Sequence, residues 1–65
     1  MTPITGAELC RLLELNGWKL QRISGSHHIY TKFGERKVLS ILVYGNRDLK
    51  PGLAAHVARD ANLKW

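Results

Sequence analysis

Apolar side chains at Leu9, Cys10, Leu12 and Leu13 share one face at helical spacing, while Arg11 and Glu14 fall elsewhere. Thr5 and Glu8 have the spacing of a capping box, and Ile4 and Leu9 stand at the two positions of a hydrophobic staple. Asn16-Gly17 supplies left-handed positions that end a helix. This pattern predicts a first helix over residues 6–15. Three strand-like runs follow. Trp18 to Ile23 alternates Trp18 and Leu20 with Lys19 and Gln21, and Ser24-Gly25 signals a turn. Ser26 to Phe33 is rich in β-branched and aromatic residues, and Gly34-Glu35 breaks it. Lys37 to Tyr44 is the most apolar run and reads as the central or best-buried strand.

Connections this short join only antiparallel neighbours, which gives a three-stranded meander. After the loop Gly45 to Asp48, Asp48 is placed to cap a second helix, with Pro51 in its first turn. Leu49, Leu53, Val57 and Ala61 recur every four residues, with Ala54 and Ala58 beside them. Asn62 ends that helix and leaves Leu63 and Trp65 as a short tail. The expectation is an α+β fold, α-β-β-β-α, with both helices on one face of the sheet and the other face or an edge left open.

A chain of 65 residues is one domain, residues 1–65. Size scaling leaves roughly 4,200 Å² of such a chain exposed, which permits one thin core and no large enclosed pocket. A site should therefore be a surface or an edge. The composition, 45% hydrophobic and 23% charged, is that of a globular chain and argues against disorder. No apolar run reaches the ~20 residues that cross a bilayer, and the N-terminal stretch lacks the basic start of a signal peptide. The single cysteine, Cys10, excludes an internal disulfide and suits a reducing, cytoplasmic setting. It belongs in the core of the first helix. Trp18 is expected to anchor the sheet on a helix; His56 has no assignable role.

Charge changes the picture. Ten Lys and Arg against five Asp and Glu leave +5, an excess that attracts polyanions through counterion release. The candidate chemistry lies in Ser24-Gly25-Ser26-His27-His28-Ile29-Tyr30. Adjacent strand residues point to opposite faces, so His27 and His28 cannot easily bind one metal together, and no Cys, Asp or Glu cluster joins them. No metal and no cofactor are expected. Histidine suits metal-free proton transfer near neutral pH. RNA cleavage needs that, together with cations around the phosphate, and Lys19, Arg22, Lys32, Arg36 and Lys37 are near in sequence. From the residues alone, two readings stand: an acid–base site, or a histidine pair that merely begins a strand on a polar face. A basic face docking an acidic partner is a third reading of the charge.

The sequence resembles the HicA family of small bacterial toxins over nearly its whole length. The likeness is carried by L-x-x-x-G-W at Leu13 to Trp18, by Gly25-Ser26-His27-His28-Ile29-Tyr30, and by Gly45-Asn46-Arg47-Asp48-Leu49-Lys50-Pro51-Gly52. The resemblance implies a double-stranded-RNA-binding-domain-like fold and a metal-independent endoribonuclease acting on mRNA. It also implies inhibition by a HicB-type antitoxin partner. Its catalytic histidine, the one directly after Gly-Ser, maps to His27, with His28 as candidate assistant. The side chains expected to hold RNA are Lys19, Arg22, Ser26, Lys32, Arg47 and Lys50. One departure stands out. Many relatives close the third strand with a proline and a histidine, where this chain has Leu42-Val43-Tyr44-Gly45. That difference opens the alternative of a catalytically degenerate RNA-binding module of the same fold.

Overall fold

The computed structural model describes residues 3–63. Helix α1 spans Gly6–Leu15, and strands β1 (Lys19–Ser24), β2 (His27–Thr31) and β3 (Leu39–Leu42) precede helix α2 (Pro51–Asp60). The sheet is antiparallel in the order β1-β2-β3, so the α-β-β-β-α meander expected from the short connections is what forms.

Helix α1 begins where its chemistry dictates. The Glu8 N–H donates to Thr5 Oγ1 at 3.1 Å, and the Thr5 N–H donates to Glu8 Oε1 at 2.9 Å. Two of the four orphan N–H donors at the end of the helix are thereby satisfied reciprocally. The helix ends in a Schellman motif: the Gly17 N–H reaches the Glu14 carbonyl and the Trp18 N–H the Leu13 carbonyl, at 3.2 and 3.0 Å. Only Gly17 takes the left-handed conformation this needs, with φ +92°; Asn16 stays at −102°. Helix α2 ends the same way on Asn62, at φ +57°, and the Leu63 N–H returns to the Ala58 carbonyl at 2.8 Å.

Leu9, Cys10 and Leu13 of α1, Ala54 and Val57 of α2, and Tyr30, Leu39 and Ile41 of the sheet form one buried cluster with Trp18, Leu49 and Ala61. Both helices therefore pack on one sheet face. Trp18 is 2% exposed and anchors α1 to the start of β1, as its position predicts. Leu63 packs against the cluster, while Trp65 lies outside the described residues.

Four expectations need correction. The central strand is β2; β3 is an edge. Two short hairpin connections put the middle run in the middle, and β3 is apolar because alternate residues, Leu39 and Ile41, fill the core. The strands also stop short of the expected runs, at Thr31 and over Leu39–Leu42. Asp48 does not cap α2. Lys50 holds that position without a side-chain bond, since Asp48 is taken up in an antiparallel bridge with Thr5. Leu53 is 43% exposed, and α2 buries Ala54, Val57 and Ala58 instead.

The N-terminal segment straps these parts together. The Leu49 N–H donates to the Ile4 carbonyl at 2.8 Å beside the Thr5–Asp48 bridge. One residue on, a Cβ at Gly6 would collide with the Leu42 carbonyl oxygen and lie 3.1 Å from Val43 Cα. Both neighbours are backbone and cannot swing aside. Gly6→Ala should therefore destabilise the fold by about 1–3 kcal/mol. Gly52→Ala, in the first turn of α2 with open space around it, should stabilise it by about 0.4–1 kcal/mol. Urea titration of both variants checks the opposite signs.

The capping hydrogen bonds from Thr5 hold the Glu8 carboxyl below its ordinary value. A lowered carboxyl contributes stability above its unfolded pKa, and that contribution is lost as pH falls through the folded value. Glu8→Gln keeps the box geometry without a titrating group. Its melting temperature should fall below the parent's at neutral pH and converge with it in acid, as scans between about pH 7 and pH 3 would show.

Candidate nucleic-acid interface

The register decides which side chains share a face. Cross-strand partners point the same way. Tyr30 pairs with Leu39 and Leu20, and His28 with Ile41 and Ile23, so these residues face the helices. His27 pairs with Ser24 and Leu42, and Ile29 with Arg22 and Ser40, so these occupy the open face. The two histidines point to opposite sides, as strand alternation predicts.

His27 opens β2 directly after the two-residue loop Gly25-Ser26, and its side chain is exposed. Its Nδ1 lies 3.2 Å from Ser40 Oγ. That contact crosses the sheet diagonally, from β2 to the position before Ile41 on β3. It fixes the imidazole against the strand and leaves Nε2 for other partners. Ser40 went unrecognised in the sequence. Its signal was a lone polar residue within Leu39-Ser40-Ile41-Leu42, which marks the outward parity of that strand; pairing it with His27 needs the hairpin register.

The expected RNA-binding residues do not all gather around His27. Arg22 lies diagonally across the open face from it, and Lys19 sits further along β1 opposite Thr31. Ser26 is in the turn, where its carbonyl accepts from the Val43 N–H at 2.8 Å and ties the turn to the end of β3. Arg47 and Lys50 lie beyond β3 on an open groove of about 530 Å³, also lined by Leu42, Tyr44, Asp48, Leu49 and Leu53. The Arg47 guanidinium stands over the Tyr44 ring at 5.3 Å. Leu42, the cross-strand partner of His27, joins this groove to the histidine. Lys32 is elsewhere: its side chain runs beside Gly17 at the C-terminus of α1.

His28 lines a shallow cleft on the helix side with Cys10, Arg11, Glu14 and Tyr30. There the Tyr30 hydroxyl donates to Glu14 Oε2 at 2.6 Å. Burial, then the bond to Glu14, pushes the phenol far above its ordinary value, and burial likewise raises the Cys10 thiol. Such groups stay protonated and pack. His56 pairs with Asp60 one turn along α2, at 3.2 Å. Among the described residues no three His, Cys, Asp or Glu side chains cluster as a metal site. No helix among them is long and apolar enough to cross a membrane.

The family model of the HicA toxin of bacterial toxin–antitoxin matches residues 6–63, nearly the whole chain. The chain belongs to the HicA toxin family. No curated protein gives a match. The region matched runs from the glycine that seats α1 on β3 through the His27 turn and the groove loop to the end of α2, so every part of the candidate site lies within the HicA match. A HicA toxin implies a cognate antitoxin partner.

Proposed function

We propose that this HicA-family chain is a metal-independent endoribonuclease that cleaves mRNA, with His27 as its acid–base group. The observation that supports the reading most is the His27–Ser40 pair on an open, basic sheet face. When Nδ1–H donates to Ser40 Oγ, Nε2 is unprotonated and can take the proton of a ribose 2′-hydroxyl. The 2′-oxygen then attacks the adjacent phosphorus and the bond to the 5′-oxygen breaks. A cyclic phosphate and a 5′-hydroxyl result, with solvent supplying the leaving group's proton. Arg22 on the same face stabilises the charge that builds on the phosphate. His28 points to the helix side and reaches no phosphate held at His27.

A second reading keeps the RNA and drops the chemistry. It is favoured by His27 being the one histidine on the open face among the described residues and by Tyr44 standing where many relatives carry another. One assay separates the two. The isolated chain should cleave RNA in excess EDTA, and His27→Ala should lose a factor of about 10²–10⁴ in rate with an unchanged melting temperature. Ser40→Ala should lose less, because it frees the ring without removing it, and His28→Ala less again. RNA binding with no His27-dependent cleavage selects the binding module. Cleavage abolished by EDTA and restored by zinc or magnesium overturns the metal-free mechanism.

The antitoxin, on this reading, inhibits by covering the open face. Lys19, Arg22, Arg47 and Lys50 have no carboxylate within ion-pairing distance among the described residues, and acidic side chains of the partner would compete with RNA for them. Arg22→Glu and Lys50→Glu should therefore weaken RNA and antitoxin binding in parallel, measured by titration at fixed salt. Loss of antitoxin binding with RNA affinity intact would separate the two surfaces and end the occlusion account.

A further inference from the structure

The groove beyond β3 is built for something other than phosphate alone. Tyr44 follows Leu42 by two residues and stays 59% exposed at the groove wall. Its position is fixed: the Arg47 N–H donates to the Tyr44 carbonyl at 3.2 Å and closes the turn, and the Arg47 guanidinium stacks over the ring. Leu42 and Leu53, each about two-fifths exposed, add apolar wall, and the volume of about 530 Å³ lies in the range of small-ligand sites. The single carboxylate on the wall, Asp48, is outnumbered by Arg47 and Lys50.

An exposed aromatic ring, a planar guanidinium and a second cation at one open groove match the chemistry of an unpaired nucleotide. Proteins bind single strands by stacking bases on aromatic rings while cations hold the backbone. An acidic peptide would use the cations and leave the ring face away from Arg47 unused. The groove also has the right neighbour. Leu42 is the cross-strand partner of His27, and Tyr44 is no more than about 7 Å further along the chain.

We propose that the groove walled by Leu42, Tyr44, Arg47, Lys50 and Leu53 takes an unpaired nucleobase of the RNA, stacked on Tyr44, adjoining the nucleotide whose phosphate lies at His27. This rests on the ribonuclease reading of His27 and adds to it a subsite that selects single-stranded over paired RNA. Lys50 holds the phosphate of the stacked nucleotide, and Arg47 keeps the ring in place from its own turn.

The test uses the full chain carrying His27→Ala, so that binding is read without cleavage, and short single-stranded RNA oligonucleotides. Adding Tyr44→Ala should weaken binding by about 5- to 150-fold, the usual worth of one stacked base, while the slope of affinity against salt stays the same. Tyr44→Phe should restore most of the affinity. An abasic nucleotide at one position should weaken the parent and leave Tyr44→Ala indifferent, which locates the stacked base. A Tyr44→Ala affinity within about 2-fold of the parent overturns the subsite and leaves the ribonuclease reading standing. The subsite is equally overturned if Tyr44→Ala keeps RNA but releases the antitoxin, for the groove would then be a protein-docking surface. If the His27→Ala chain binds no RNA while the parent chain cleaves it, the subsite falls and the ribonuclease reading stands; if the parent neither binds nor cleaves RNA, both fall.

Discussion

The absence of a side chain at Gly6 sets the geometry on which the candidate site depends. Because no Cβ stands there, the first turn of α1 lies directly against the Leu42 carbonyl and Val43. The segment before it is bonded to the loop that leads into α2, through Ile4 to Leu49 and Thr5 to Asp48. One short stretch, Ile4 to Gly6, thereby fixes three things together: the start of α1, the end of β3 and the approach to α2. The end of β3 carries Leu42 beside His27, and the approach to α2 carries Arg47 and Lys50. The groove is the space between them, so its width is a consequence of a backbone-to-backbone contact at Gly6. A thin domain gains precision this way, since backbone atoms have no rotamers to search.

Local rules were legible and global placement was not. The limits of α1 follow from Thr5, Glu8 and Gly17, each of which acts within four residues of its own position. The antiparallel meander follows from connection lengths. What sequence reasoning got wrong involves residues whose fate is decided at long range. Asp48 is a good capping residue by type, yet its backbone is committed to pairing with Thr5, which lies at the other end of the chain. Leu53 fits a four-residue repeat, but the sheet it would cover is already filled by Tyr30, Leu39 and Ile41, leaving room there only for alanine and valine. The apolar run containing β3 suggests a central strand, yet the order of a meander is fixed by its turns and not by hydrophobicity.

The candidate site divides along the same line. Strand alternation alone separates His27 from His28. It cannot say which of them meets the helices, because that depends on Tyr30 being a core residue, and the same parity that buries Tyr30 sends His28 inward. Ser40 and His27 are thirteen residues apart and meet only through the β2–β3 register. Lys32 is near the histidines in sequence and lies at the end of α1 in space. Nearness along the chain predicted a cluster of cations; the sheet sorts those cations by parity and by distance along the strand.

The distribution of charge follows from how little of this molecule is interior. It exposes 4799 Å², more than the roughly 4,200 Å² that scaling gives for its mass. One sheet face is consumed in burying both helices, and α2 is tied to the β2–β3 connection by the Lys37–Asp60 pair at 3.0 Å, which holds the Asp60 carboxyl below its ordinary value. Three of the five acidic groups are thus used on the helix side, in the Glu8 cap, the Glu14–Tyr30 bond and the Asp60 pairs. The cations of the other side have no such partners among the described residues. Of the ten cations, Lys19 and Arg22 on the open face and Arg47 and Lys50 at the groove are therefore available to attract a polyanion toward the side that carries His27. Any partner that must block that face meets the same field. On the ribonuclease reading proposed above, RNA and an antitoxin that covers this face compete for the same cations.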